Sequence, residues 1–326
     1  MSCFPDFTVL QEQKEHYYMS AVIIDGKLVA AYVRAKVKEE AAAFAARRGR
    51  APGLAVIRVG DDPASAVYVR NKMKACDEVG FFSRTIHLPA ESSEDEVISA
   101  VEELNSDISI DAFLVQLPLP KGLNEKRILS FVKREKDADA FCSLDAGHLR
   151  LGEGNILPCT PAGIMELLSY YGIQVAGREC TVVGRSDIVG RPMAALLLAA
   201  DATVTIAHSR TVDLPAVTRR ADILVSAVGK AGLITADMVK PGAVVIDVGM
   251  NRNAEGKLCG DVDFAGVSEV ASYITPVPGG VGPMTVAMLM RNAMNAALAA
   301  SDSVPDSSSA VTNMRDRPNT SRTSSG

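Results

Sequence analysis

The sequence predicts an α/β protein made of two three-layer domains, each built on a mainly parallel sheet. The chain has 326 residues, a length that suggests roughly two domains of about 150 residues each. Short apolar runs alternate with longer segments of helical composition along most of it, which is the order of elements in α/β folds. Hydrophobic residues make up 48% and charged residues 22% of the chain, which is enough apolar material for two cores.

The first half of the chain alternates predicted strands with predicted helices. Residues 22–27 predict a short strand and turn, and residues 30–48 predict a helix with a cationic last turn. Further strands are predicted at 54–59, 83–88 and 112–116, and further helices at 64–79, 92–105 and 124–132. Strands separated by helices in this way predict a parallel sheet that helices cover on both faces.

The second half repeats the pattern after an irregular stretch at 146–161, which we expect to connect the two domains. Helices are predicted at 162–171, 193–198, 214–219 and 285–300, and strands at 180–183, 203–207, 222–227 and 243–248. This order predicts a second parallel sheet with helices on its faces.

These elements divide the chain into parts. Residues 1–20 are expected to form an N-terminal extension, residues 21–160 the first domain and residues 161–284 the second. The helix at 285–300 is expected to pack back onto the first domain. Residues 301–326 are mostly Ser, Thr, Asp, Arg and Pro, so the sequence predicts a disordered tail there.

Composition excludes several classes of function. The net charge of −5 argues against nucleic acid or an anionic membrane surface as the main partner. No apolar run reaches the roughly 18 residues that cross a bilayer, and the first 20 residues resemble neither a signal peptide nor a transit peptide. Six cysteines without a C-x-x-C pair and four scattered histidines indicate neither a metal site nor a disulfide framework. We therefore expect a reducing, cytoplasmic setting.

The stretch at residues 180–198 predicts a cofactor site. A short apolar strand runs into a turn that contains Gly184, Ser186 and Gly190, and the turn opens into a helix. Backbone N–H groups at such a helix N-terminus bind the pyrophosphate of a dinucleotide, so the second domain is predicted to be Rossmann-type. Ser186 replaces the second glycine of the usual fingerprint, and the last glycine comes one residue late. An ordinary strand-to-helix turn therefore remains the alternative.

The end of the next strand favours NADP over NAD. In NAD-binding units this strand ends in Asp or Glu, which holds a ribose hydroxyl. Here it ends in His208, Ser209 and Arg210, with no acid. Arg185, Ser209 and Arg210 are suited to a 2′-phosphate, and NADP is the predicted cofactor.

Tyr68 and Lys72 stand four residues apart on the second predicted helix and therefore share a face. The neighbouring stripe, which includes Val69 and Cys76, is apolar, so the pair should lie at the margin of the core. A lysine that loses solvation becomes partly neutral and can transfer protons. The alternative is a lysine whose stem packs along the helix while its amine reaches solvent.

Three further positions have both a functional and a structural interpretation. Gln116 closes a buried strand at its carboxyl end, where parallel sheets bind ligands, and its amide either holds an amine or caps a loop. Asp137 and Asp139 are either solvated charges or partners for a two-donor ring edge. Residues 276–283 include three prolines and three glycines, which excludes helix and ladder strand. They predict an unusual backbone course beside a ligand, with a purely structural turn as the alternative.

Together, these motifs resemble one known family. In these motifs the chain is similar to the bifunctional methylenetetrahydrofolate dehydrogenase/methenyltetrahydrofolate cyclohydrolases. The matching segments occur in the same order as in the family, from about residue 20 to 300. The segments are 65–72, 115–120, 136–139, 158–161, 182–192, 247–251, 260–264 and 276–285.

The resemblance implies roles for individual residues. It implies that Lys72 is the central catalytic residue, that Tyr68 stacks on the folate, that Gln116 holds Lys72, and that Asp139 binds the pterin. The catalytic set it implies is Lys72, Tyr68, Gln116 and Asp139, and the substrate-binding set adds Leu117, Pro278, Gly279, Gly280 and Val281. The cofactor-binding set is Gly184, Arg185, Ser186, Ile188, Ser209, Met250 and Thr285. Cys159 is expected at the domain junction as a packing residue.

The resemblance also implies an activity and partners. In the first reaction, NADP oxidises methylenetetrahydrofolate to methenyltetrahydrofolate. In the second, the methenyltetrahydrofolate is hydrolysed to N10-formyltetrahydrofolate. Both are expected in the cleft between the domains. The implied substrates are polyglutamylated tetrahydrofolates, and the implied assembly is a homodimer formed through the cofactor domains.

The chain departs from the family pattern at two positions. Family members commonly carry Gly after the Asp-x-Asp segment and Ile before the Asn of the Asp-Val-Gly segment, where this chain has Ala140 and Met250. We expect Ala140 to reshape the pterin loop slightly. Met250 replaces an isoleucine of similar volume at the expected cofactor contact.

Three other functions remain as alternatives. A single-activity NAD(P)-dependent methylenetetrahydrofolate dehydrogenase would share the fold, but Lys72, Gln116 and the missing acid near Ser209 weigh against an NAD-dependent one. A shikimate- or amino-acid-dehydrogenase-like oxidoreductase shares the two-domain outline and leaves residues 276–285 unexplained. A non-enzymatic NADP-binding protein would not need the set of Tyr68, Lys72, Gln116 and Asp139.

Overall fold

The computed structural model describes residues 20–152 and 154–302. The predicted N-terminal extension, apart from its last residue, lies outside the described residues. The predicted disordered tail does too, apart from Ser301 and Asp302, which end the last helix.

The described elements follow the predicted alternation. The strands are β1 (Val22–Ile23), β2 (Gly53–Val59), β3 (Phe82–Leu88), β4 (Ala112–Val115), β5 (Glu179–Val183), β6 (Thr203–Ala207), β7 (Ile223–Ser226), β8 (Val244–Asp247), β9 (Asn251–Arg252), β10 (Leu258–Cys259) and β11 (Tyr273–Ile274). The helices are α1 (Gly26–Arg48), α2 (Pro63–Val79), α3 (Glu94–Ser106), α4 (Glu125–Ser130), α5 (Ser143–Leu151), α6 (Cys159–Tyr170), α7 (Gly190–Ala199), α8 (Leu214–Thr218), α9 (Phe264–Ser268) and α10 (Val281–Asp302). Short 3₁₀ helices lie at Arg134–Lys136 and Ala236–Met238.

The first domain is a three-stranded parallel sheet in the order β3-β2-β4. Alternate residues of β2 face opposite layers, as a strand's two-residue period requires. Leu54 and Val56 face the core that α1, α2 and α10 share, whereas Ala55 and Ile57 face the core under α3 and α4. Because both faces are covered, nearly every residue of β2 is apolar and buried.

The second domain is a six-stranded sheet in the order β1-β11-β8-β7-β5-β6, and all its ladders are parallel. One face packs on α6 and α7 through residues such as Val182 and Leu197, and the other packs toward α8 and α9 through Leu224 and Val267. Strands β9 and β10 form a separate antiparallel pair. The prediction of two three-layer α/β domains with mainly parallel sheets is confirmed.

Two long helices join the domains. Helices α1 and α10 pack side by side in the same direction, since Gly26 lies against Gly280 at one end and Arg48 contacts Ser301 at the other. Helix α10 also packs on α6 and α2. Among the described helices, none is both long enough and apolar enough to span a membrane.

Two expectations about the connections are wrong. Strand β1, placed with the first domain, pairs with β11 at the edge of the second sheet, where Ile24 N–H also bonds Ile274 at 2.8 Å. The stretch at 146–161 is not irregular, because α5 and the start of α6 occupy much of it. Helix α5 is capped by the Cys142 sulfur, an unusual capping group that the sequence patterns do not flag.

Candidate functional site

Lys72 and Gln116 are joined by a hydrogen bond. The amine of Lys72 donates to Gln116 Oε1 at 3.0 Å, and both side chains are half-buried. The other end of the Gln116 amide is fixed as well, because Nε2 donates to the Leu117 carbonyl at 2.7 Å. The amide oxygen can therefore only point to the lysine. This arrangement favours the amine-holding interpretation of Gln116 over the loop-capping one.

Helix α2 places Lys72 beside the carboxyl end of the first sheet. It begins after Asp62, whose carboxylate accepts from Ser65 N–H at 2.7 Å, with Pro63 in its first turn. It ends at Gly80, whose left-handed φ of 80° suits glycine. Val69 and Cys76 anchor the buried face. One turn before Lys72, Tyr68 is 45% exposed, so its ring is open to a planar ligand.

Asp137 and Asp139 lie in very different surroundings. Asp137 is 6% exposed and accepts backbone hydrogen bonds from Asp139, Phe141 and Cys142. Burial, and next the charge of Asp139, raises the pKa of Asp137 to about 6. The solvated interpretation is thus wrong for Asp137, which folds the loop. Asp139 is half-buried at the loop's surface, where its carboxylate can meet a ligand.

Ala140, where the family resemblance implies glycine, has a backbone conformation that suits glycine. Its φ is 56°, in the left-handed region that favours glycine, and its side chain is 4% exposed. The loop thus keeps a turn suited to glycine while carrying a methyl group in the core. The expected reshaping of the pterin loop remains a prediction.

Cys159 lies beside Asp139 at the start of α6. Its sulfur lies 3.6 Å from Asp139 Oδ1 and 3.5 Å from the Ala138 carbonyl. Burial raises the pKa of the Cys159 thiol well above its usual range; Asp139 raises it further and Lys72 acts in the opposite direction. The thiol is therefore protonated and donates hydrogen bonds, which a nucleophile would not do.

The proline- and glycine-rich run lies against the start of α1. Gly279 has a φ of 112°, and a side chain at Gly26 would lie 1.7 Å from the Gly280 carbonyl oxygen. Gly280 is also tightly packed, because a Cβ there would be 2.6 Å from the Pro276 carbonyl oxygen. The described contacts of this run thus require glycine for packing, and Val281 is buried. The expected substrate contacts of Pro278, Gly279, Gly280 and Val281, like that of half-buried Leu117, remain predictions.

Thr160 and Thr285 mark the junction of the domains. Their hydroxyl oxygens are 2.9 Å apart, which ties the N-terminal turn of α6 to that of α10. Thr160 directly follows Cys159, so Thr285 lies beside the catalytic candidates of the first domain. The proposed cofactor contact of Thr285 would be made from this junction.

The predicted dinucleotide turn is built on two close backbone approaches. A Cβ at Gly184 would lie 2.2 Å from the Ala227 carbonyl oxygen, and one at Gly190 would lie 2.3 Å from the Gly184 carbonyl oxygen. Ser186 Oγ accepts from the N–H groups of Val189 and Gly190 at 3.2 and 3.3 Å. The serine thus binds two backbone N–H groups where α7 begins and stabilises the turn without a second glycine. The two close approaches pack the turn against the end of β7 and against the start of α7, which is one of the tasks of glycine in a dinucleotide-binding turn.

The candidates for the 2′-phosphate lie at the same sheet edge. Strands β5 and β6 pair in parallel and Gly184 N–H bonds the Ala207 carbonyl at 2.8 Å, so the residues after each strand are neighbours. Arg185, Ser209 and Arg210 are exposed there. Neither arginine forms an ion pair with another described residue, which leaves both cations available to an anion. Ile188 is 50% exposed beside them.

A pair of buried carboxylates was missed by the sequence reasoning. Asp247 accepts from the N–H groups of Gly249, Asp261 and Val262, and Asp261 accepts from those of Val228, Gly229 and Lys230. Burial raises the pKa of Asp247 to about 6. The two acids fix the loops after β7 and β8, and the second loop presents Met250, which is 55% exposed. No pattern in the sequence predicts this role for Asp247 and Asp261.

A cavity of about 830 Å³ lies away from these residues, at the amino ends of the first sheet's strands. Its wall includes Arg50 and Arg134, but Asp111 and Asp145 already pair with these arginines at 2.6 and 3.0 Å. Asp145 belongs to a buried group with Asp137 and Cys142 whose ligand-capable atoms lie within 4.8 Å of one another. Its oxygens are taken by Arg134 and the Cys142 thiol, so protein groups already occupy them.

Family models match both halves of the chain. The model for the catalytic domain of tetrahydrofolate dehydrogenase/cyclohydrolase matches residues 24–139, and the model for its NAD(P)-binding domain matches residues 158–301. The chain is also 57% identical over 279 residues to the bifunctional protein FolD of Burkholderia mallei (strain SAVP1). That match covers 86% of this chain and 98% of the relative.

Solved structures show the same likeness. The bifunctional FolD methylenetetrahydrofolate dehydrogenase/cyclohydrolase from Campylobacter jejuni is 45% identical, with a TM-score of 0.84 over 86% of this chain and 100% of its own. The Trypanosoma brucei enzyme, solved with NADP cofactor and an inhibitor, is 40% identical, with a TM-score of 0.83 over 87% of this chain and 99% of its own. An NAD-dependent yeast dehydrogenase, 21% identical with a TM-score of 0.72 over 87% of this chain and 99% of its own, shares the fold. The chain therefore belongs to the tetrahydrofolate dehydrogenase/cyclohydrolase family.

Proposed function

We propose that this protein is a bifunctional one-carbon folate enzyme. It oxidises methylenetetrahydrofolate with NADP and then hydrolyses methenyltetrahydrofolate to N10-formyltetrahydrofolate. One observation carries the proposal: Gln116 holds the Lys72 amine through a 3.0 Å hydrogen bond. A dehydrogenase alone would need only alignment of the cofactor, whereas a held amine serves a reaction that moves protons.

The dehydrogenase step requires alignment of two ligands. NADP, when bound, accepts a hydride from the methylene carbon, leaving a methenyl cation. The turn at Gly184 and Ser186 would hold the pyrophosphate, supported by the close backbone approaches at Gly184 and Gly190. Ile188 would pack on the cofactor from the same turn. Met250 and Thr285 would contact its nicotinamide end.

The preference for NADP rests on charge. Arg185, Ser209 and Arg210 are exposed at the carboxyl ends of β5 and β6, and the three residues directly after β6 include no acid. A guanidinium binds a phosphate through charge and paired N–H donors, so a 2′-phosphate gains affinity here that a free hydroxyl would not. The end of β6 lacks the carboxylate that would select the ribose hydroxyl of NAD.

The cyclohydrolase step uses the held lysine. Water adds to the methenyl carbon and loses one proton. The bond from that carbon to N5 then breaks while the remaining hydroxyl proton moves to N5, which gives the N10-formyl product. In its neutral form Lys72 would accept the proton of the attacking water, and Gln116 would keep the amine aimed at it. A neutral amine would also avoid repelling the cationic substrate.

The folate would be held by residues around this amine. Asp139 would accept from the N–H edge of the pterin ring, a geometry suited to a carboxylate with two oxygens. The exposed Tyr68 ring would stack on a planar part of the folate. Leu117 and the run from Pro278 through Gly279 and Gly280 to Val281 would line the rest of the folate site.

We assign two domains to these roles. Residues 21–160 together with the helix at 285–300 would form the folate-binding catalytic domain, and residues 161–284 the cofactor domain. The packing of α10 on α1 and α2 supports the return of the last helix, and β1 is the exception that joins the second sheet. Limited proteolysis that released residues 161–284 as one stable fragment would support this division. Cleavage within that range before any other would contradict it.

We also propose a homodimer formed through the cofactor domains. Strand β6 is an edge of the six-stranded sheet, with Ile206 43% exposed, and Leu198 on the adjoining α7 is 65% exposed. An open strand edge flanked by apolar side chains is a surface that a second copy can cover. Light scattering after gel filtration should give twice the chain mass, and Ile206→Lys should give the monomer mass. A monomeric wild-type protein would overturn the proposal.

We propose polyglutamylated substrates and a cytoplasmic location. Both proposals are supported by the family resemblance, and the location also by the free cysteines at 76, 142, 159, 180 and 259 in the described chain, which suit a reducing compartment. A lower KM for a polyglutamate than for the monoglutamate, and recovery in the soluble cell fraction, are the expected results.

One assay tests the activity. The purified protein is incubated with methylenetetrahydrofolate and either NADP or NAD, while cofactor reduction and methenyl decay are followed by absorbance. We expect reduction of NADP and rapid decay of the methenyl product. Reduction without accelerated methenyl decay would indicate a single-activity dehydrogenase. Reduction of neither cofactor would overturn the proposed function.

A further inference from the structure

Asn292 is a buried amide in the middle of α10. Its side chain is 2% exposed, and all its polar atoms have partners. Nδ2 donates to the Leu157 carbonyl at 2.7 Å and to the Ala138 carbonyl at 2.8 Å, and Oδ1 accepts from Leu157 N–H at 3.4 Å. One side chain thus joins three separate parts of the chain.

These partners flank the residues that surround Asp139. Ala138 directly precedes Asp139, and Leu157 leads into α6, which begins at Cys159. The Cys159 sulfur lies 3.4 Å from Asn292 Nδ2 and 3.6 Å from Asp139 Oδ1. Asn292 therefore holds both the backbone before the carboxylate and the thiol beside it.

The neighbouring buried positions on α10 make this amide unusual. Met288, Leu289, Ala293 and Ala296 are apolar and buried, as expected for a helix in a shared core. A buried amide costs stability unless its hydrogen bonds are made, so packing alone would favour an apolar side chain here. Of the bonds that offset this cost, one goes to Ala138, directly before Asp139, and two go to Leu157, two residues before Cys159. Their placement points to a role in the site.

We propose that Asn292 is a positioning residue that holds the Asp139 carboxylate in place for the folate ring, through the Ala138 carbonyl and the Cys159 thiol. This role rests on the proposed function. Asn292 acts through other residues and is not expected to touch either the folate or the cofactor.

The test compares two substitutions of Asn292 with one on the same helix. Asn292→Asp replaces two N–H donors with an oxygen that faces two carbonyl oxygens, and Asn292→Leu removes the hydrogen bonds without adding charge. Asn295→Asp is the matched control, because the one hydrogen bond that Asn295 donates to a described residue goes to the Asn155 carbonyl, at 2.9 Å. We measure KM for methylenetetrahydrofolate and for NADP, the affinity for tetrahydrofolate by calorimetry, and the melting temperature.

We expect both Asn292 variants to raise the folate KM and weaken tetrahydrofolate binding about tenfold or more, because misplaced groups bind and align substrate poorly. The KM for NADP should stay within about twofold of wild type, since uniform damage would move both constants. Asn295→Asp should change neither constant. A rise in the folate KM without a rise in the NADP KM would not arise from a merely structural role.

Several outcomes would overturn the inference. An unchanged folate KM in an active, folded Asn292→Leu protein would show that Asp139 does not depend on this amide. Equal changes in the folate and NADP constants, together with a lower melting temperature, would show a structural role only. A wild-type protein that neither turns over nor binds tetrahydrofolate would instead overturn the proposed function, and this inference with it.

Discussion

The Lys72 amine donates a 3.0 Å hydrogen bond to Gln116 Oε1, and this contact joins a helix to the end of a neighbouring strand. Gln116 follows the buried strand Ala112–Val115, so its position is set by the sheet. Lys72 lies on a helix capped at both ends, so its position is set by the helix. Because both partners stand on rigid elements, the amine is held before any ligand binds.

Gln116→Glu should impair the cyclohydrolase more than the dehydrogenase. A carboxylate in place of the amide favours the charged ammonium form of Lys72, which cannot accept a proton. We expect methenyl hydrolysis to fall about 100-fold, the lower end of what proton transfer contributes, and NADP reduction to fall much less. Gln174→Glu, at an exposed position of the second domain, is the control. Equal losses in both reactions would contradict the holding role of Gln116.

Ser209→Asp should shift cofactor preference from NADP toward NAD. The new carboxylate would stand at the end of β6, where it repels a 2′-phosphate and can accept from a ribose hydroxyl. We expect the ratio of kcat/KM for NADP to kcat/KM for NAD to fall about tenfold or more. A tenfold fall corresponds to about 1.4 kcal/mol of repulsion between the new carboxylate and the 2′-phosphate. Val212→Asp, at a fully exposed position of the same loop, is the control for added charge. The same shift from both variants would argue against a phosphate site at Ser209.

Ala140→Gly should be nearly neutral for stability, although it removes a buried methyl group. Ala140 has a φ of 56°, so glycine relieves about 1 kcal/mol of left-handed strain. Loss of the methyl contact costs about 0.8 kcal/mol. Ala41→Gly is the matched control in the buried face of the first long helix, where the methyl loss and helix propensity add to about 2 kcal/mol. Urea unfolding should separate the two variants; equal losses would contradict the strain at Ala140.

Asp247 should make stability depend on pH in a definite direction. Burial raises its pKa from 3.8 to about 6, so the folded state holds a proton that the unfolded state releases. The preferential protonation of the folded state contributes stability that is fully present below about pH 4 and is lost as the pH rises through about 6. The free energy of unfolding of Asp247→Asn should therefore rise relative to that of wild type between about pH 4 and 6, by about 3 kcal/mol at most. The measurement is urea unfolding of both proteins from pH 4 to 7. A difference that stays constant or shrinks would contradict the assigned shift.

Much of the fold could be predicted from the sequence, because its strands are short apolar runs that helices separate. The buried strand Gly53–Val59 and the capped helix Glu94–Ser106 lie close to their predicted positions. The location of Val22–Ile23 could not be predicted, because a two-residue strand carries no pattern that identifies its partner. Helix Ser143–Leu151 was missed because a cysteine caps it and its apolar pattern is short.

The sequence also predicts some residues of the candidate site and leaves others unidentified. Tyr68 and Lys72 follow from helical spacing, and Gln116 from its place after a buried strand. The roles of Asp137 and Asp261 could not be predicted, since a sequence does not tell a carboxylate in solvent from one that accepts several backbone N–H groups. Asn292 lies far from its partners along the chain, so only the folded structure brings it to Ala138 and Cys159.

The measurement that tests the central claim most directly is the effect of Lys72→Met on the two reactions. Lys74→Met, an exposed position on the same helix, is the control. If the held amine carries the proton step, Lys72→Met should lose cyclohydrolase activity about 100-fold or more while it still binds NADP and melts near the wild-type temperature. Lys74→Met should retain both activities. Full cyclohydrolase activity in the folded Lys72→Met protein would contradict the account.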